Sequence, residues 1–177
     1  VPPLNVEFAI TGTAAGTSCA AVVEQVKWKL SDLNSNLTVA SVNNLSRFQN
    51  NGWNADASSW NTVGNNGYFQ FTASETNTYR AIGLSNSHTG SSYTNIQYCF
   101  YLNSGGGLQI FESGSGRGTY GTYTTGDVWK IAGEKKIGKD VKNGTLLYVS
   151  SVTPTLPLLV DASVREAGGT ISNAMVS

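Results

Sequence analysis

The chain carries a single histidine, His88, in the run Ser87-His88-Thr89-Gly90. That composition is a loop signal. A Ser-His-Asp site needs a nucleophile hydrogen-bonded to its base, and no Gly-x-Ser-x-Gly turn accompanies His88. The sequence therefore predicts a solvated loop histidine. One histidine and two distant cysteines cannot supply the ligands of a zinc site. Glycoside hydrolysis needs two carboxyl groups facing each other across the substrate. Glu112 and Glu134 are available, but no Glu-x-Asp-x-x-Glu strand holds such a pair. The run Ser113-Gly114-Ser115-Gly116-Arg117-Gly118 has the glycines of a phosphate-cradling loop, yet it lacks the Lys-Ser/Thr ending and a following helix. It reads as a hairpin loop. No enzymatic activity and no cofactor are expected.

The chemistry left is recognition. Sugars stack on flat aromatic faces and take directional hydrogen bonds from amides, carboxylates and guanidinium groups. Trp53, Asn54 and Asp56 lie in one segment, Tyr93 and Asn95 in another, and Arg117 in a third. Brought to one end of a rigid scaffold, these six would form a ligand-binding site for a glycan or another extracellular surface. The alternative is that Trp53 and Tyr93 pack over the rim of the fold. Composition narrows the partners further. Charged residues make up 12% of the 177, with formal net charge zero, against roughly a quarter in an average soluble domain. Without a basic patch, contacts to phosphate backbones have no source of attraction, so nucleic acid is not an expected partner. No apolar run reaches the roughly 20 residues of a membrane helix.

The elements that must hold these residues are strands. Between Asn66 and Ser113, aromatic and β-branched runs alternate with polar residues and end in Gly, Asn or Ser. These are Tyr68 to Thr72, Tyr79 to Leu84, Ile96 to Leu102 and Leu108 to Phe111. In the third run Ile96, Tyr98, Phe100 and Leu102 share one face, while Gln97, Cys99 and Tyr101 share the other, the period of a strand covering a core on one side. Val26 to Leu30, Leu37 to Val42, Thr119 to Tyr123, Asp127 to Ile131, Lys136 to Val141, Leu146 to Val149, Leu158 to Val160 and Thr170 to Val176 read as further strands. Leu45 to Trp60 reads as a loop with its tip at Asn50 to Asn54, and Ala162 to Ala167 as one short helical turn at most. Asn143-Gly144 is the strongest hairpin signal, since a type I′ turn needs positive φ at both central residues.

The order Gly126-Asp127, strand, Asn143-Gly144, strand resembles the core of concanavalin A-like sandwiches, including the laminin-G and SPRY groups. Gly52-Trp53-Asn54-Ala55, Gly67-Tyr68, Thr78-Tyr79-Arg80, Gly83-Leu84-Ser85, Tyr101-Leu102 and Pro157-Leu158-Leu159-Val160-Asp161 extend the match over about residues 26–177. The resemblance implies an all-β, antiparallel jelly-roll β-sandwich: a non-catalytic module that binds sugars or other extracellular surfaces. Asn95 and Gln97 stand where it leads one to expect acidic side chains, which argues against calcium-assisted binding at that edge.

Residues 1–25 lie outside the match and read as an N-terminal arm or extra strand, with Val6, Phe8 and Ile10 alternating along it. An arm of this kind either completes its own sandwich or adds a strand to another copy. A second reading follows, a structural subunit of an extracellular fibre, sheath or surface assembly whose partners are copies of itself. The start at Val1 points to a removed leader, and a secretory signal fits an extracellular protein. Cys19 and Cys99 fit one disulfide, worth about 4 kcal/mol for so long a loop; the alternative is two separately buried thiols. Asn36, Asn44 and Asn143 head N-x-S/T sequons, which matter in a glycosylating secretory pathway.

Overall fold

The computed structural model describes residues 22–134 and 137–177. Fourteen strands run through them: β1 Glu24–Gln25, β2 Leu37–Ser41, β3 Asn44–Arg47, β4 Asp56–Val63, β5 Tyr68–Thr72, β6 Arg80–Ser85, β7 Tyr98–Leu102, β8 Gly107–Glu112, β9 Ser115–Thr122, β10 Val128–Glu134, β11 Ile137–Lys142, β12 Thr145–Val149, β13 Leu158–Val164 and β14 Thr170–Val176. They form two antiparallel sheets. One has the order β12-β11-β10-β5-β14-β3-β2, with β1 also on β14; the other has the order β4-β13-β6-β7-β8-β9.

Alternation explains why the sheets stack. Phe69 and Phe71 on β5, Phe100 on β7 and Trp129 on β10 are fully buried. Phe100 meets Phe71 at 6.3 Å and Trp129 at 5.4 Å between ring centroids across the two layers. Each such side chain contributes roughly 1.5–3 kcal/mol by leaving water. The hairpin after β11 turns as expected, with φ of 47° at Asn143 and 81° at Gly144.

Four expectations need correction. Leu45 to Trp60 is a loop only in part: its tip at Asn50 to Asn54 lies outside the strands, but its first three residues belong to β3 and its last five to β4. The inward positions of β4 before Trp60 are Ala57 and Ser59, too small and polar to mark a strand. Trp28 is buried but makes only an isolated bridge to Ser59, and Leu30 is 74% exposed in a 3-10 turn, Leu30–Asp32. Ile96 does not share the core face of β7; it precedes the strand and packs with Ala81 and Cys99 on the opposite side of the sheet. Residues Ala162 to Val164 continue β13 instead of forming a helical turn. In addition, β9 begins at Ser115, so the glycine-rich run is mostly strand behind a tight turn at Ser113-Gly114. The arm residues Val6, Phe8 and Ile10, and Cys19, lie outside the described residues. Cys99 is buried, its Sγ 3.4 Å from the Phe100 carbonyl oxygen.

Candidate functional site

The side of the six-stranded sheet that faces away from the core has its own chemistry. On β6, Ile82 and Leu84 enter the core, so Ala81, Gly83 and Ser85 point outward. On β13, Val160 and Ala162 enter, so Asp161 and Ser163 point outward. On β4, Asp56, Ser58 and Trp60 alternate with inward Ala57 and Ser59. The connection from β6 to β7 folds back over this outer face. A small second core forms beneath it, in which Trp53, Tyr93, Tyr101 and Phe111 pack on Ala81, Ile96 and Cys99. Gly83 makes room: a Cβ there would sit 1.7 Å from the Tyr98 carbonyl oxygen.

His88 pins that connection down. Its Nε2 lies 2.9 Å from Asp56 Oδ2 and its Nδ1 3.0 Å from Asp161 Oδ1. The hydrogen bond to Asp161, and then the one to Asp56, raise its pKa to about 10, against the opposing effect of burial. The expected solvated loop histidine is thus an imidazolium clamped between two carboxylates. Both ring nitrogens are engaged, so His88 has no free lone pair with which to activate a nucleophile. Burial pushes the Asp161 carboxyl upward, and its bond to His88 opposes that shift.

Arg47 does the same for the segment that carries Trp53. The guanidinium is 1% exposed. Its Nε donates to the carbonyls of Gln49 (3.0 Å) and Asn50 (2.7 Å), and its Nη1 to those of Gly52 (2.6 Å) and Val164 (2.5 Å). Its Nη2 donates to Asn54 Oδ1 at 2.6 Å. One Nε–H shared between two carbonyls, with the N–H groups of both Nη atoms, fixes five acceptors in a planar fork, which a lysine cannot do. Asn50 and Gly52 take the positive φ, 54° and 128°, that the tight path demands.

These two anchors hold an aromatic platform. Trp53 lies 5.0 Å from Tyr93 and 5.6 Å from Tyr101; Tyr93 lies 4.9 Å from Tyr101 and 5.3 Å from Phe111. All four rings are half-buried. Tyr79 extends the patch at 5.9 Å from Tyr101, with the Arg165 guanidinium over its ring and Glu166 paired to that arginine. Burial first, then Tyr93 and Tyr79, push the Tyr101 hydroxyl up to about 12, so it is a neutral donor at any physiological pH.

Of the six residues proposed as ligand contacts, Trp53 and Tyr93 meet directly. Asn54 stands beside them, its Oδ1 held by Arg47, and Asn95 Nδ2 donates to the Thr89 carbonyl at 3.3 Å in the same connection. Asp56 is buried as half of the histidine clamp. Arg117 turns elsewhere: its Nε pairs at 2.7 Å with Glu112, which points between the sheets. Among the sequons, the Asn36 amide donates to Asn34 Oδ1 and the Asn54 carbonyl, Asn44 Oδ1 accepts from the Asn173 amide, and the Asn143 amide donates to Asp127. Tyr79, Tyr101, Phe111, Arg47 and Asp161 were missed. The outward aromatics were the available signal, since Tyr101 already falls on the face opposite Phe100.

This arrangement of sheets has known counterparts. The PSpry domain of TRIM65 superposes with a TM-score of 0.64 at 9% identity, over 84% of this chain and 88% of that one. The carbohydrate recognition domain of Emp47p superposes with a TM-score of 0.55 at 8% identity, over 85% and 87%. The fold is a concanavalin A-like β-sandwich. No protein-family model matches the sequence, and no curated protein matches it. At these identities the likeness of the concanavalin A-like sandwich to its neighbours is one of fold.

Proposed function

We propose that this is a non-catalytic, extracellular carbohydrate-binding module whose ligand stacks on the Trp53–Tyr93 platform. The observation that carries the reading is a partly exposed aromatic surface whose supporting segments are locked from below by buried charges, Arg47 and the Asp56–His88–Asp161 clamp. A rigid apolar surface of rings tilted against one another, beside Asn54 and Asn95, suits the alternating apolar and hydroxyl faces of a sugar ring. The Emp47p domain, with the same fold, is a carbohydrate recognition domain, which agrees with this choice. Charge at His88 and its partners is spent internally, which suits binding better than proton transfer. A glycan array probed with the wild type and Trp53→Ala tests the proposal: selective binding by the wild type, lost in the variant, supports it. Equal binding by both removes this site.

A second reading, assembly of copies, has its own support. Among the described residues β12 is an edge strand, and the stretch Thr145 to Thr153 contains no charged residue or proline. Leu146 and Val149 there are 52% and 46% exposed. Natural edges are usually guarded against pairing with another chain. Size measurement before and after deletion of residues 1–21 tests it: assemblies that persist without the arm count against arm-mediated contacts.

A further inference from the structure

We infer that the sugar site continues along the β4 margin to Trp60, so that the ligand is an extended, uncharged polysaccharide segment and not a single terminal sugar. This rests on the glycan reading of the Trp53 platform. Trp60 is 65% exposed. It stands on the outer face of the six-stranded sheet, on the same side as Asp56 and Ser58. Trp53 lies in the bend just before β4, where the Asn54 amide donates to the Gly52 carbonyl, and Trp60 lies within β4, whose extended course from Asp56 to Trp60 alone covers about 13 Å. That is a span of more than one sugar ring.

The ground between them is built. The segment from Lys27 to Asn36 runs back along the free edge of β4, tied by the Trp60 amide to the Lys27 carbonyl, the Lys29 amide to the Ser58 carbonyl and the Asn34 amide to the Asp56 carbonyl. It sets out a row of polar side chains from one indole to the other. Near Trp53 stands Asn36, whose amide donates to the Asn54 carbonyl at 3.0 Å. In the middle is Asp32, which accepts from Ser58 Oγ at 2.6 Å. At the far end Lys29 Nζ lies 5.1 Å from the Trp60 ring centroid and 3.3 Å from Asp32. A hydrogen-bonding row between two aromatic anchors is what a polyhydroxylated chain recognises. Its charges are paired within the protein, Lys29 with Asp32 and Lys27 with Glu24, so nothing on the track selects for a uronate or sulfate.

Titration with disaccharides and hexasaccharides of linear neutral series (cello-, laminari-, manno-, xylo- and chito-) tests the extension. In the series that binds, the hexasaccharide is expected to bind tighter than the disaccharide. Trp60→Ala is expected to remove that gain, roughly tenfold for one lost stacking contact, and to leave disaccharide binding unchanged. Trp60 is largely exposed, and an unchanged melting temperature shows that the variant folds. Length-independent binding by the wild type, or a Trp60→Ala variant that keeps full hexasaccharide affinity, overturns the extension alone. Preference for oligogalacturonate over every neutral series overturns the neutral-ligand assignment. A wild type that binds none of these overturns the glycan reading and the extension together.

Discussion

Two places in this sandwich bury a pair of acids, and they handle the charge differently. On the outer face, Asp56 and Asp161 hold an imidazolium between them. Between the sheets, Glu112 on β8 faces Asp140 on β11, and among the described residues no cation lies between the two carboxyls. Glu112 Oε2 takes Arg117 from the rim and the Tyr148 hydroxyl at 3.3 Å, while its Oε1 is buried without a hydrogen-bond partner among the described residues. Asp140 responds by keeping its proton: burial first, and then the charge of Glu112, raise its pKa to about 8. A pair of buried carboxylates is stable either around a cation or with one member neutral. The outer face uses the first solution, where a connection must be held; the interior uses the second, where only packing is needed.

The sharpest way to break the comparison is to remove the enclosed cation. His88→Ala leaves Asp161, 1% exposed, beside Asp56 with no counter-charge. It is expected to cost about 3–5 kcal/mol in urea unfolding at pH 7. Adding Asp161→Asn should recover a good part of that loss. If His88→Ala is neutral, the clamp contributes nothing and the two acid pairs do not differ in kind.

The next largest effect is on pH dependence. Both groups have folded pKa values above their unfolded ones, so each contributes stability that is present at low pH and lost as pH rises. For His88 the loss runs from about 6.5 to about 10. For Asp140 it runs from about 3.8 to about 8 and then levels off. Stability measured against pH should fall through both windows. Asp140→Asn should flatten the lower one and leave the upper one, and above pH 8 it should be more stable than the wild type. A lower slope that survives Asp140→Asn assigns it to another group.

A smaller effect separates holding a surface from making it. Arg47→Lys keeps a cation but not the planar fork that reaches five acceptors. Loosening of the Trp53 segment is expected to weaken glycan binding by roughly tenfold, about 1.4 kcal/mol. The smallest is at the turn after β11. Asn143→Ala must hold φ near 47° without an amide side chain, and about 1 kcal/mol is expected in thermal unfolding.

The aromatic strands were legible because their faces differ sharply: Phe69 and Phe71 against Tyr68 and Gln70, or Phe100 against Cys99 and Tyr101. The turn at Asn143-Gly144 was legible because its conformation excludes most other residues. The start of β4 was not, since its core side there shows only Ala57 and Ser59, and a large apolar residue, Val63, comes only at its end. His88 was misread for a related reason. Its partners, Asp56 and Asp161, lie 32 and 73 positions away, and no local pattern announces a contact that the sheet alone creates. Arg117 looked like a surface contact because nothing nearby in sequence reveals that Glu112 points inward. Half of the candidate site, Trp53 and Tyr93, was visible from residue type; the supports beneath it were not.

The Arg47 fork has a kinetic consequence. Its five acceptors close the segment around Trp53 before any visitor arrives, so docking requires no rearrangement of the main chain there. Encounter should then proceed in a single step, with a rate set by diffusion and orientation, and differences between preferred and poor sugars should show in how long each one stays.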